Sequence, residues 1–271
     1  EGILRPIGGW QARTSTALSG IVRGIIAWRT NNGTRYIAAG SASKLYAISQ
    51  SSVVYDITPA GFSAGNTNAT SGTGYGSGSY STYTYGTPRP DVGTVTPATT
   101  WSLDTWGEYL VGCTNYDGKL YEWQLGTSTP AAVITNAPTG NTALLVTAER
   151  SLMALGADNN PRKIQWSDLE DNTTWTPAST NLAGSLELQT SGRIVIGKRV
   201  RGQNLILTDV DAHIVSYVGQ PFVYTSEYVG RACGIAGANA VAVQDNFAVW
   251  MGSRGFFMYD GYVKSVPCEV S

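Results

Sequence analysis

The sequence predicts an all-β protein, a β-propeller with about five recognisable blades. Two features of the composition point this way: charged residues make up only 14 % of the chain, and it contains 32 glycines and 15 tyrosines. Tyrosine favours strands, and glycine supplies tight turns. The third observation is a hairpin pattern that returns along the sequence, as it does in proteins built from repeated units.

The hairpin pattern is clearest at YLVGCTNYDGKLYEW (109–123) and FAVWMGSRGFFMYDG (247–261). In each stretch an apolar run is followed by a short polar turn and then by a second apolar run. Asp117-Gly118 and Asp260-Gly261 are dipeptides that favour the positive φ of tight hairpin turns. Weaker copies of the pattern occupy 36–49, 152–168 and 205–219.

The copies define the length of the repeat. Corresponding apolar residues of the hairpins are Leu45, Leu120, Ile164, Ile214 and Phe257. From Leu120 onward they recur at roughly 40 to 50 residues, the length of a propeller blade. Further strands are predicted at 25–30, 52–58, 143–148, 193–200 and 240–245. Each unit is therefore a meander of three or four antiparallel strands.

The organisation along the chain is simple. We expect a single propeller domain over 1–271, and we expect it to be part of a longer chain because the sequence does not begin with Met. The stretch 141–156 is interpreted as two strands joined at Glu149-Arg150, since its apolar residues do not follow a helical period.

A Gly/Ser/Tyr-rich insertion at 61–98 separates the first unit from the second. It has no apolar periodicity, so one interpretation is a solvated flexible loop. The other is a contact with a protein partner, because aromatic side chains on a pliable backbone provide adaptable contact area. The residues that would make this contact are Tyr75, Tyr80, Tyr83 and Tyr85.

Charge and cysteine content exclude several classes of function. The net charge of −1 provides no basic surface for nucleic acid phosphates or anionic membranes. The chain has only three cysteines and one histidine, without a C-x-x-C pair, so we expect neither a zinc site nor a cofactor. We predict buried free thiols, with a single disulfide as the alternative.

Candidate catalytic residues were sought among the acids and the histidine. IQWSDLEDNTTWTPAST (164–180) brackets Asp168, Glu170 and Asp171 between Trp166 and Trp175. Paired carboxylates of this kind, together with Glu108 or Glu122, would suit a glycosidase. Asp and Thr at a strand end also form turns by local hydrogen bonding. His213, beside Asp209 and Asp211, is expected to make an ordinary hydrogen bond. We therefore predict no catalytic residue.

Three stretches resemble a family of bacteriophage proteins. They are WSDLEDNTTWTPASTNLAG (166–184), GIAGANAVAVQDNFAVWMGSRGFFMYDGYVKSVPC (234–268) and KLYAISQSSVVYDITPAGF (44–62). In their order along the chain they resemble the packaged-DNA stabilisation, or tail nozzle, proteins of short-tailed double-stranded DNA phages. Minor tail proteins of other phages are related to that group.

The resemblance implies a structural virion protein and no enzyme. Copies of the chain would form a six-fold ring below the portal and adaptor, in contact with tail fibre or spike proteins. The ring would retain packaged DNA and later let it pass without specific binding. It would be assembled in the host bacterial cytoplasm, without membrane insertion.

Three alternatives remain open from the sequence. One is a minor tail or tip protein of a long-tailed phage, and the second is a propeller glycosidase that acts on host envelope polysaccharide. The third is a cellular ligand-binding propeller. In the structural interpretation, Trp166 and Trp175 supply contact area between blades or subunits, while Asp168 and Asp171 fix the turn.

Overall fold

The structure, a computed structural model, describes residues 8–9, 11–70 and 96–267. These residues form five antiparallel four-stranded sheets arranged as the blades of a β-propeller. Blade 1 contains β1 (Gly24–Arg29), β2 (Arg35–Gly40), β3 (Leu45–Ser49) and β4 (Val54–Asp56). Blade 2 contains β5 (Trp101–Trp106), β6 (Tyr109–Thr114), β7 (Leu120–Trp123) and β8 (Ala132–Val133).

The remaining blades repeat the same meander. Blade 3 contains β9 (Ala143–Val146), β10 (Leu152–Leu155), β11 (Lys163–Trp166) and β12 (Gly184–Glu187). Blade 4 contains β13 (Ile194–Val200), β14 (Gln203–Thr208), β15 (Ala212–Gly219) and β16 (Val223–Gly230). Blade 5 contains β17 (Val241–Gln244), β18 (Phe247–Gly252), β19 (Gly255–Tyr259) and β20 (Val263–Val266).

The predicted all-β propeller of five blades is confirmed. The five residues that anchored the repeat all lie on the third strand of their blades, namely β3, β7, β11, β15 and β19. Within the described residues, the only helical element is a single 3₁₀ turn at Ala157–Asn159. That part of the chain therefore contains no helix long and apolar enough to span a membrane.

Two of the three predicted turns, at Asp117-Gly118 and Glu149-Arg150, form where they were expected. Gly118 has a φ of 68° in the turn between β6 and β7, and Arg150 has a φ of 62° between β9 and β10. Asp260-Gly261 differs from the prediction because it connects β19 to β20, not the two halves of the 247–259 hairpin. That hairpin turns at Gly252–Gly255, which are paired with each other.

The two described ends of the insertion pair with each other, and its start packs on the propeller. Thr70 and Thr96 pair as an antiparallel bridge, with both N···O distances at 3.0 Å. Phe62 stacks on Trp101 at 5.3 Å between ring centroids, so the start of the insertion contributes to the core. Residues 71–95, which include the four candidate tyrosines, lie outside the described part of the chain.

The core lies between the blades. One apolar cluster fills the interface of blades 1 and 2, a second that of blades 2 and 3, and a third extends over blades 3, 4 and 5. The first cluster is centred on Trp101, whose indole Nε1–H donates to the carbonyl oxygen of Ser41 at 2.8 Å. Gly24 and Gly40 leave the space that this ring occupies.

Substitution of Gly40 by Ala tests how tightly blades 1 and 2 are packed. A Cβ atom at this position would collide with the indole ring of Trp101. We expect Gly40→Ala to lower the free energy of unfolding by about 1 to 3 kcal/mol in urea titrations. Gly237→Ala is the matched control, because a Cβ there meets nothing within 4 Å. Equal stability of the two variants would contradict this packing.

Candidate functional site

The two tryptophans of the predicted interface are enclosed within the monomer. Trp166, at the end of β11, is 3 % exposed and contacts Tyr224 of blade 4 edge to face, with centroids 5.1 Å apart. Trp175 is 2 % exposed and belongs to the cluster between blades 2 and 3. Each indole N–H donates to a carbonyl of the same connection, at Leu182 and Asn172 respectively.

The two aspartates of this connection hold its backbone. Asp168 Oδ1 accepts from the backbone N–H of Leu169 at 2.9 Å and of Leu182 at 2.8 Å. Asp171 accepts from the backbone N–H and the hydroxyl of Thr173 and from the hydroxyl of Thr174. These hydrogen bonds hold the pKa of the Asp171 carboxyl below its ordinary value, and those from the two hydroxyls have the largest effect.

The remaining acids are also engaged with the chain. Glu170 is exposed and lies 3.7 Å from the guanidinium of Arg150. Glu122, on β7, accepts from the side-chain amides of Asn172 and Gln124. Glu108 Oε2 accepts from the backbone N–H of Asn31. None of these five acids is brought into a carboxylate pair facing an open cavity in the described structure.

A groove of about 410 Å³ lies beside the connection, at the rim of blade 2. Its lining includes Glu122, Gln124, Val133, Asn172 and Thr173. A contact with a partner at this connection stays a prediction. Because the indole rings are buried, the side chains available for such a contact are the exposed ones, such as Glu170, Thr173 and Val133.

A second polar cluster connects the inner strands of blades 2, 3 and 4. The hydroxyl of Ser102 donates to the carbonyl oxygen of Leu144 and accepts from its N–H. Asp104 Oδ2 accepts from the N–H of Val146 at 2.9 Å, and Arg199 donates to the carbonyl oxygen of Val146. Burial raises the pKa of the Asp104 carboxyl, against backbone hydrogen bonds and nearby positive charges.

This second polar cluster was not predicted from the sequence. Its members lie far apart in the chain, and only the radial stacking of β5, β9 and β13 brings them together. The one available signal was a polar residue at alternate positions of β5, namely Ser102 and Asp104 on either side of Leu103. Their chemistry here is structural, because they satisfy backbone groups at the free edge of β9.

His213 makes the ordinary hydrogen bond that the sequence predicted, although it lies at the start of β15 and not in a turn. Its Nε2 is 3.2 Å from Asp211 Oδ1. Asp211 also accepts from the hydroxyls of Thr208 at 2.5 Å and Thr190 at 2.7 Å. Thr190, Thr208 and His213 thus all contact the carboxylate of Asp211, and the contact between Thr208 and Asp211 fixes the turn between β14 and β15.

The two described cysteines lie in the core of the propeller. Cys113 and Cys233 are free and buried, and burial raises the pKa of the Cys233 thiol to about 11. Cys268 lies outside the described residues. The described residues contain no group of three or more His, Cys, Asp or Glu side chains placed to hold a metal ion.

Replacing Trp175 tests the place of the connection in the core. We expect Trp175→Ala to destabilise the monomer by about 3 to 5 kcal/mol, because it leaves a cavity between blades 2 and 3. Thr176→Ala is the neighbouring exposed control and should be close to neutral. Chemical denaturation of the monomer measures both. A Trp175→Ala monomer as stable as the control would place the ring outside the core.

The lowered pKa of Asp171 gives a pH-dependent prediction. A carboxyl with a lower pKa in the folded than in the unfolded state stabilises the fold above its unfolded pKa of about 3.9, and the contribution is lost as pH falls through the folded value. We therefore expect Asp171→Asn to be less stable than the parent at pH 7. The difference should shrink in urea titrations below about pH 4. A difference that is constant with pH would contradict the assignment.

Comparisons with known proteins show a likeness of fold alone. No protein-family model matches the chain, and no curated protein matches its sequence. Virginiamycin B lyase from Staphylococcus aureus superposes with a TM-score of 0.51 at 9 % identity, covering 91 % of this chain and 71 % of the lyase. A catalytically inactive form of that lyase with quinupristin gives a TM-score of 0.53 at 9 % identity, covering 93 % and 73 %. BBS1N in complex with ARL6DN gives 0.51 at 12 % identity, covering 92 % and 71 %.

These structures correct one expectation. We expected from the resemblance to tail proteins, and from the lack of a predicted catalytic residue, that the chain is not an enzyme. Virginiamycin B lyase is an enzyme, and its fold resembles that of this chain. The expectation that the chain is not an enzyme was therefore wrong, because an enzyme also has a fold of this kind.

Proposed function

We propose that this chain is a structural virion protein, a subunit of the tail nozzle or tail hub of a short-tailed phage. Copies of it form a six-fold ring below the portal and adaptor, beside tail fibre or spike proteins. The ring retains packaged DNA and lets it pass at ejection. The alternative within the same class is a minor tail or tip protein of a long-tailed phage.

The observation that carries the proposal is the conformation of the 166–184 stretch, one of the three that resemble tail proteins. Its polar side chains are used to hold the chain itself: Asp168 and Asp171 bind backbone and hydroxyl donors, and Trp166 and Trp175 are buried between blades. A rigid connection of this kind suits a subunit that must keep its shape in a ring under load.

The charge of the chain supports a role as a conduit. Each contact between a cationic side chain and a DNA phosphate adds affinity, which would oppose the movement of DNA through a channel. The net charge of −1 and the few charged residues keep such contacts rare. The same composition supports the alternative tail role equally, so the position of the protein in the virion must be measured.

The tyrosines of the insertion allow the ring to be tested. We expect the purified chain to form hexamers in sedimentation velocity and native mass spectrometry. We expect the Tyr75→Ser, Tyr80→Ser, Tyr83→Ser, Tyr85→Ser variant to lose at least half of them without a change in thermal midpoint, because buried aromatic area stabilises interfaces. Tyr262→Ser is the control, since this tyrosine is 64 % exposed at a turn of blade 5.

The outcomes separate the candidate functions. A parent chain that stays monomeric alone and with portal and adaptor proteins would overturn the nozzle proposal. Equal hexamer yield from the tyrosine variant would remove the insertion from the interface but keep the ring. Mass spectrometry that detects the chain beside a tape measure protein in virions would favour the long-tailed alternative. Cleavage of host envelope polysaccharide that Asp168→Asn abolishes would favour the glycosidase.

A further inference from the structure

A pocket of about 410 Å³ opens on the outer face of blade 1, the face turned away from blade 2. The segment before β1 forms one wall, and strands β1, β2 and β3 form the floor. The residues that the argument uses are Arg13, Ala27, Arg29, Arg35, Ile37 and Ile48. The volume falls within the range of roughly 300 to 1,000 Å³ that is usual for small-molecule sites.

The charges of this pocket are not neutralised by any acidic residue in the described part of the chain. Arg29 and Arg35 are directly opposite each other in the register of β1 and β2, where like charges destabilise a sheet. Arg13 lines the same space. In the described part of the chain none of the three forms an ion pair, whereas Arg162 lies 2.6 Å from Glu187 and Arg193 lies 3.3 Å from Asp209.

The floor of the pocket is apolar. Ala27, Ile37 and Ile48 lie on the same face of the sheet as the two opposed arginines, because Ala27 pairs with Ile37 and Ile37 pairs with Ile48. Ile25, one pair further along β1, is 71 % exposed. The site therefore combines an apolar surface with a cationic end, and this combination suits a ligand that is apolar at one end and anionic at the other.

We propose that this pocket binds a small organic anion. Its apolar or aromatic body lies on Ala27, Ile37 and Ile48, and its carboxylate, phosphate or sulfonate group lies between Arg29 and Arg35. Guanidinium groups match such oxyanions with paired, charge-assisted hydrogen bonds. Binding removes the repulsion between the two arginines and covers the exposed Ala27 and the partly exposed Ile37. The proposal is independent of the role of the protein in a tail.

The test uses 8-anilinonaphthalene-1-sulfonate, which joins an aromatic body to a sulfonate and fluoresces in apolar surroundings. We expect saturable binding at one site per chain. The Arg29→Gln, Arg35→Gln double variant should raise the Kd at least tenfold. The control is the Arg162→Gln, Arg193→Gln double variant, which makes the same change in net charge at two exposed, ion-paired arginines and should bind as the parent does. Circular dichroism and the thermal midpoint verify that each variant is folded.

Three results would overturn the proposal. The first is an absence of saturable binding to the parent chain. The second is an equal loss of affinity in both double variants, which would show a general effect of net charge. The third is competition by a short DNA duplex that also depends on Arg29 and Arg35, which would assign the arginines to nucleic acid. Nile red is an uncharged apolar dye and serves as the converse test. If the Arg29→Gln, Arg35→Gln variant binds it as the parent does, the arginines are assigned to the anionic group of the ligand.

Discussion

The fold depends on one constraint: each four-stranded sheet has two apolar faces, and only a neighbouring blade can remove such a face from water. The three apolar clusters lie at the contacts between blades and not inside any one of them. The blades approach each other closely at these contacts. Gly24 and Gly40 of blade 1, for example, leave room for Trp101 of blade 2. A blade taken alone would expose most of its core, so the blades are stable only as a stacked series.

The same constraint explains how polar groups are distributed. Stacking brings the free edges of the inner strands together near the axis, where the backbone groups of β9 need partners. Ser102, Asp104 and Arg199 supply them from the two neighbouring blades. Indole N–H groups do similar work between strands, as when Trp250 donates to the carbonyl oxygen of Cys233 at 2.6 Å. These buried polar groups thus join blades and connections.

Much of the fold could be predicted because each hairpin carries a local signal, and less of the site could. The third strands contain the alternating or continuous apolar runs from which the repeat was recognised. Asp117-Gly118 determines the turn between β6 and β7 by its local conformational preference. Strand β12, with its sequence GSLE, has no such signal and was missed. The turn chemistry of Asp171 could be predicted because it is local, whereas Asp168 also accepts from the distant N–H of Leu182. The burial of Trp166 and Trp175 could not be predicted, because it depends on which blade faces each ring.

The two ends of the blade series are where the constraint is not met in the described structure. Blade 5 leaves Met251 and Phe256 exposed on its outer face, at 45 % and 38 %. The outer face of blade 1 is different, because its apolar floor is bordered by Arg29 and Arg35, which have no acidic partner among the described residues. An apolar sheet could cover the face of blade 5 at no electrostatic cost. Covering blade 1 in the same way would bury unpaired guanidinium groups. The free energy needed to desolvate these charges is far larger than the free energy gained from the apolar contact. Whatever occupies the face of blade 1 must therefore bring negative charge with it.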